Sequence, residues 1–272
     1  MEGPTGARGA MADPQAAGER RVSVVLPAHN EVGLLGATVT ALCAGLDDRG
    51  VDYEVVVVEN GSTDGTLRLA RVLAAQLEGV RVLSLPVGDY GAALATGIAA
   101  ARGTVVACFD VDYYDLAFLD AALRAIDETG ADVVVASKRA PGARDHRPLV
   151  RRLLTGGFTT LTRLLLGLEA TDAHGMKVLV ADRVAPVAGA CTMRGSLFDV
   201  ELVLRATRGG LRLVEIPATV AERRPPRTSV WSRAIESFLG ILRLRRRLGG
   251  PGPGGRHRLV VGTPGGTEPG RP

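Results

Sequence analysis

The stretch Tyr53–Glu59 reads Y-E-V-V-V-V-E, four successive valines with no polar alternation. β-Branched side chains suit a pleated strand, and a strand with one wet face would alternate, so this run predicts a strand buried on both faces. Such a strand needs helices on both sides. Val22–Leu26, Val80–Leu85, Thr104–Phe109 and Asp132–Ala136 are further apolar runs, separated by helix-period segments at Val32–Leu46, Thr66–Leu77, Ala92–Ala101 and Leu116–Glu128. The alternation predicts an α/β chain with a Rossmann-like, mostly parallel sheet and helices on both faces.

Beyond about residue 140 the pattern changes. A basic helical stretch (Arg147–Leu168), a short strand at Met176–Val180, a helix over Phe198–Thr207, a strand at Leu211–Val220 and a helix over Ser229–Leu248 follow. The ends are rich in Gly and Pro and lack apolar periodicity. The expected organisation is a loose tail (1–19), one domain (20–228), a C-terminal amphipathic helix (229–248) and a second tail (249–272).

With 46% hydrophobic and 23% charged residues the chain can bury a core and is not a disordered polymer. Cys43, Cys108 and Cys191 lie far apart without metal-site spacing, which predicts free, buried thiols in a reducing compartment. The sequence shows neither an apolar run of the roughly 18 residues a spanning helix needs nor a signal-peptide core. A cytoplasmic protein is expected, with peripheral contact at the membrane face as the only membrane association. Of 33 basic residues only Lys138 and Lys177 are lysines. Basic residues are not interleaved with stacking aromatics, so no nucleic-acid partner is expected.

Parallel sheets bind ligands beyond the C-terminal ends of their strands, and three polar clusters fall there. They are Pro27-Ala28-His29-Asn30-Glu31, Glu59-Asn60-Gly61-Ser62-Thr63-Asp64, and Asp110-Val111-Asp112. Two carboxylates one residue apart suit Mg²⁺ or Mn²⁺, hard ions that bridge phosphates.

Taken in order, V-V-L-P-A-H-N-E, V-E-N-G-S-T-D-G-T and F-D-V-D closely resemble the inverting family 2 glycosyltransferases of the GT-A fold. Downstream, Ala136-Ser137-Lys138-Arg139, Asp172–Lys177, Phe198–Leu202 and Val214–Pro217, with Arg223, Arg224 and Ser229, are similar to the dolichol- and polyprenyl-phosphate sugar synthase branch. The resemblance implies a metal-dependent transfer of a hexose from a GDP- or UDP-linked donor to polyprenyl phosphate. It implies that Pro27, His29, Asn30, Glu31, Glu59, Asn60 and Asp64 line the nucleotide pocket and that Asp110 and Asp112 hold the cation. Gly91 and Lys177 fall in motifs near the donor, and Arg139, Arg223, Arg224 and Ser229 are implied phosphate contacts. A phosphate acceptor needs no strong base. A soluble or glycan hydroxyl would need one, and Asp199 and Glu201 are the candidates. A third reading is a non-catalytic nucleotide-sugar binder.

The sequence departs from the family pattern in several places. His29 stands for a tyrosine and Glu59-Asn60 for Asp-Asp. Gly88-Asp89-Tyr90-Gly91 replaces a Gly-Lys-Gly or Gly-Leu-Gly turn, Tyr113-Tyr114-Asp115 follows the paired aspartates, and Pro225-Pro226-Arg227 replaces a glycine-containing loop. In the last helix Trp231, Ile235, Phe238 and Leu242 form an apolar stripe beside arginines, which predicts a helix lying in a membrane interface.

Overall fold

The structure is a computed structural model that describes residues 21–140, 143–145, 149–168, 170–220, 230–249 and 258–260. In the first half, β1 (Val22–Ala28), α1 (Leu35–Asp47), β2 (Tyr53–Asn60), α2 (Thr66–Gln76), β3 (Val80–Leu85), α3 (Tyr90–Ala100) and β4 (Val105–Cys108) alternate as the sequence predicts. α4 (Leu116–Thr129), β5 (Val133–Ser137), β6 (Arg144–Asp145), α5 (Leu149–Leu166) and β7 (Lys177–Val180) follow. The chain continues through α6 (Ala181–Gly189), α7 (Leu197–Arg208), β8 (Leu213–Pro217), β9 (Thr219–Val220), α8 (Val230–Leu248) and β10 (Arg258–Val260).

Eight strands form one sheet in the order β10-β8-β5-β7-β4-β1-β2-β3, parallel except for β7, which runs antiparallel to both β4 and β5. The four valines of β2 divide between its faces. Val55 and Val57 join one core with α1, α2 and α4, and Val56 and Val58 join the other with α3 and α5–α8. All four are fully buried, each stabilising the fold by about 1.5–3 kcal/mol relative to exposure. This is the GT-A arrangement, a mixed and mostly parallel sheet between helical layers.

The structure differs from the sequence reading in several elements. α6 was not foreseen, because Pro186 lies inside it and proline is a poor helix former. The strand expected over Leu211–Val220 divides after Pro217 into β8 and β9, and β9 pairs with β6 in a separate two-stranded sheet. β10 lies in the segment read as a loose tail and pairs with β8. α8 buries Gly240, Ile241 and Leu244 against the domain, whereas Phe238 is exposed and Leu242 only half-buried. Ile241 and Leu244 belong to the second core, so the helix turns an apolar line inward and the membrane-interface expectation is not kept. The side chains of Trp231 and Ile235, and residues 1–19, lie outside the described residues. No described helix is long and apolar enough to cross a membrane. Cys43, Cys108 and Cys191 are unpaired thiols.

Candidate active site

The reversed direction of β7 shapes the site. The C-terminal ends of β1, β2, β4 and β5 share one sheet edge, and β7 brings its beginning, Lys177, to that edge opposite Cys108. A cleft of about 320 Å³ opens there, lined by Pro27, His29, Glu31, Asn60, Tyr90 and Asp110–Asp112 together with Gly88.

The loop after β1 is held by cross-links to the loop after β2. Asn30 has φ 55°, the only positive φ at a non-glycine among the described residues. Its N–H donates to Ser62 Oγ at 3.0 Å, and its Oδ1 accepts from Thr63 N–H at 2.8 Å. His29 Nδ1 lies 2.6 Å from the Asn60 carbonyl, and its Nε2 is 3.1 Å from Asn30 Nδ2. The Glu31 N–H donates to Thr66 Oγ1 at 2.9 Å. Asp64 accepts from the Thr66 N–H, the Thr66 hydroxyl and the Val32 N–H, at 3.0, 2.5 and 3.2 Å. It therefore ties the two loops together and does not line the cleft. Glu59 is also turned away from the cleft, 2% exposed, with its carboxylate accepting from Ser62 N–H at 2.5 Å and Ser84 Oγ at 2.7 Å. Burial would push its carboxyl up, but these donors outweigh it and hold it below its ordinary value.

The Gly88-Asp89-Tyr90-Gly91 turn joins the cleft to α7. The Asp89 N–H donates to Asn60 Oδ1 at 2.7 Å, and its carboxylate caps α3 through the Ala92 N–H at 3.2 Å. The same carboxylate accepts from the Gly195 N–H at 3.0 Å and pairs with Arg194 Nε at 3.2 Å. Gly91 has a packing role, since a Cβ there would lie 2.7 Å from Phe198 Cβ and 3.0 Å from the Gly195 carbonyl. Tyr90, absent from the sequence-predicted site, lines the cleft together with Asp110. Burial first, then the charges of Asp110 and Asp199, push its phenol well above the usual tyrosine range.

Asp110 and Asp112 meet at the cleft floor, where Asp110 exchanges backbone hydrogen bonds with Tyr113, both 3.1 Å. Thr38 Oγ1 donates to the Val111 carbonyl at 2.7 Å and pins the segment to α1. Burial and then the charge of Asp199 raise the Asp110 carboxyl to about 6, with Asp112 adding and Lys177 opposing. Asp199 and Lys177 are 2% and 1% exposed and pair at 3.0 Å, with Lys177 Nζ also donating to the Gly175 carbonyl at 2.8 Å. Burial raises the Asp199 carboxyl, but Lys177 outweighs it and keeps the group below its ordinary value.

Glu201, the other expected base, faces elsewhere. It is fully buried, and its carboxylate accepts from the Thr192 and Met193 N–H groups at 2.7 and 2.6 Å and from Arg205 Nε at 2.8 Å. Two residues on a helix at i and i+2 point to different faces, and that spacing in Asp199-Val200-Glu201 is the sequence signal that separates them. Arg139 is exposed after β5, and a Cβ on Gly156 of α5 would lie 2.8 Å from its Nη1. Asp172 pairs at 3.8 Å with Lys138, not with Lys177. Arg223, Arg224 and Ser229 lie outside the described residues.

The glycosyl transferase family 2 model matches residues 23–184. The chain is 32% identical over 222 residues to an uncharacterised glycosyltransferase of Mycobacterium tuberculosis, covering 81% of this chain and 94% of that one. It is 31% identical over 211 residues to the undecaprenyl-phosphate mannosyltransferase of Micrococcus luteus, covering 75% of this chain and 84% of that one. Among solved structures, glucosyl-3-phosphoglycerate synthase from Mycobacterium tuberculosis, in complex with Mn²⁺, UDP and glucosyl-3-phosphoglycerate, superimposes with a TM-score of 0.63. That match has 23% identity and covers 92% of this chain and 88% of the synthase.

These findings correct the expectation of a polyprenyl-phosphate branch and its lipid acceptor. The fold matches synthases named for glucosyl-3-phosphoglycerate. Identity does not select the lipid branch either, because the undecaprenyl-phosphate enzyme is no nearer than the uncharacterised relative. Peripheral membrane contact falls with the lipid acceptor, α8 being packed on the domain. With the model matched across β1 to α6 and the paired aspartates at the sheet edge, the chain belongs to glycosyl transferase family 2 and is a catalytic glycosyltransferase of the GT-A fold.

Proposed function

We propose that the enzyme transfers a hexose from a UDP-linked donor to a hydroxyl of a small, soluble, anionic acceptor of the phosphoglycerate class. The observation that carries this reading is the single cleft in which Asp110 and Asp112 face His29, Glu31 and Asn60. One wall suits a nucleoside and the other a diphosphate.

Asp110 and Asp112 fit Mg²⁺ or Mn²⁺. Asp199 and Asp112 crowd Asp110 with negative charge, which a divalent cation relieves. No group of three or more His, Cys, Asp or Glu forms a closed metal cage among the described residues, in keeping with ions held by one or two carboxylates plus substrate phosphates. When bound, such an ion neutralises charge developing on the leaving diphosphate. His29, braced by Asn60 and Asn30, offers a fixed ring for the base, while Pro27, Glu31 and Asn60 complete the nucleoside wall. Glu59, Asp64 and Gly91 act by holding that wall in shape, and Lys177 by compensating Asp199. Arg139 beside α5 offers a guanidinium fork for an acceptor phosphate or carboxylate, with Arg223, Arg224 and Ser229 as further phosphate contacts.

The test is nucleotide release from UDP-glucose, UDP-galactose and GDP-mannose with Mn²⁺, with and without 3-phosphoglycerate or glycerate. Release that depends on an acceptor, with a product carrying both parts by mass, is the expected result. Release that is identical with and without every soluble acceptor overturns the reading.

A further inference from the structure

A hydroxyl acceptor must lose its proton as its oxygen attacks, and neither carboxylate expected for that task is free to take it. Glu201 is saturated by two backbone N–H groups and Arg205. Asp199 is almost completely buried, and its charge is taken up by an ion pair with Lys177 Nζ 3.0 Å from Oδ1, although Oδ1 accepts no hydrogen bond among the described residues. A partly exposed neighbour of Asp199 is His174. Its Nδ1 lies 3.9 Å from Asp199 Oδ2, and its side chain is 32% exposed. That Nδ1 is itself buried and has no hydrogen-bond partner among the described residues, and it faces the Asp199 carboxylate. A 3.9 Å separation exceeds a hydrogen bond, but catalytic contacts are commonly long before substrate tightens them.

The ring is held from several sides. It packs on Phe158 of α5 with centroids 5.2 Å apart and planes tilted by 42°. The His174 N–H donates to Asp172 Oδ1 at 3.0 Å. Gly175 lets the loop lie directly on β5, because a Cβ there would collide with the Ala136 carbonyl. The loop leads straight into Lys177, paired in the sheet with Cys108, two residues before Asp110. His174 therefore stands on the β5–α5 side of the paired aspartates.

We propose that His174 is the general base for the acceptor hydroxyl, with Asp199 as the positioning residue that orients its ring; this rests on the hydroxyl-acceptor reading above. Nδ1–H faces Asp199, leaving Nε2 to take the hydroxyl proton. The acceptor oxygen then bonds to the anomeric carbon of the sugar. The bond from that carbon to the diphosphate oxygen breaks, and its electron pair leaves with the diphosphate. The imidazolium afterwards releases its proton to water. The charged groups at His174 are Asp199 from α7, itself paired with Lys177 of β7, and Asp172 of its own loop, itself paired with Lys138 at the end of β5.

The test compares wild type with His174→Gln and His174→Ala, using the acceptor that gives turnover and following kcat and KM. The expected result is a kcat loss of about 10²–10⁴-fold with UDP–Mn²⁺ binding, read by thermal shift, unchanged. Free imidazole partly restores His174→Ala, and the conservative His174→Gln is not rescued. Unimpaired kcat in either variant, no rescue by imidazole, or a loss accompanied by lost UDP binding overturns the inference while leaving the hydroxyl-acceptor reading in place. A wild type that shows no acceptor-dependent turnover removes that reading and this inference with it.

Discussion

Lys177 Nζ and Asp199 Oδ1 lie 3.0 Å apart beneath the cleft, both side chains 2% exposed. Each carries a charge the interior would not tolerate alone, so the pair behaves as one unit. Lys177→Met leaves Asp199 buried and uncompensated, and should cost about 3–5 kcal/mol in urea unfolding. The double variant Lys177→Met/Asp199→Leu should recover most of that stability while losing activity. A double variant no more stable than Lys177→Met would contradict the account.

Asp110 presents the opposite balance. Its carboxyl is raised to about 6 by burial and by Asp199, so ionisation at neutral pH opposes folding of the metal-free protein. Asp110→Asn should therefore raise the Tm of the metal-free enzyme at pH 7.5. The advantage should disappear below the unfolded carboxyl value of about 3.9, where both side chains are neutral. The same variant should lose the Tm increase that Mn²⁺ with UDP gives the wild type. A variant less stable than wild type at pH 7.5 without metal would refute the sign.

Glu54 supplies a pH dependence away from the cleft. Its carboxylate, 1% exposed, accepts from Ser23 Oγ at 2.6 Å, Arg81 Nε at 2.7 Å and the Arg102 N–H at 2.6 Å. Burial pushes the group up, but Arg81, Ser23 and Arg102 outweigh it and hold it below its ordinary value. A depressed carboxyl contributes stability above its unfolded pKa of about 4.3, and that contribution fades as pH falls through the folded value. Glu54→Gln should cost about 3 kcal/mol at pH 7, with the gap to wild type closing under acid. Denaturant titrations at stepped pH check this, and a gap that persists at pH 2 would count against it.

Gly91→Ala tests the contact between α3 and α7. In an ordinary helix the change would gain up to about 1 kcal/mol. Here the new methyl would meet Phe198 Cβ at 2.7 Å and the Gly195 carbonyl at 3.0 Å. Overpacking of about 1–3 kcal/mol should prevail, and displacement of Tyr90 should raise the donor KM. A variant of wild-type stability and KM would show that the contact yields.

The pleat and helix periods made most of the fold readable. Val55–Val58 announced a strand buried on both faces, and Asp110-Val111-Asp112 announced the cleft floor because strand ends gather at one edge. The pairing partners of charged groups were not readable in the same way. Asp172 and Lys177 are neighbours in sequence, yet each is paired elsewhere, Asp172 with Lys138 and Lys177 with Asp199. Those choices depend on strand register and on how α7 packs, and neither is encoded locally. Glu59 looked like a pocket residue from its place at a strand end, but Ser62 and Ser84 turn it inward. Tyr90 could have been found from its place in the substituted Gly88–Gly91 turn. His174 sits inside the Asp172–Lys177 motif, but nothing local pairs it with Asp199, because only the packing of α7 brings that carboxylate beside it.

The reversed strand has a consequence for how the polypeptide is made. β1 to β4 are complete when Cys108 has been added, but the outer edge of β4 has no partner until Lys177–Val180 arrive. At the usual pace of synthesis, those intervening residues take roughly 4–14 s. For that interval a nascent chain carries an open, valine-rich edge able to template pairing with another chain. Covering that edge until β7 arrives is what would keep the nascent chain from pairing with a neighbour.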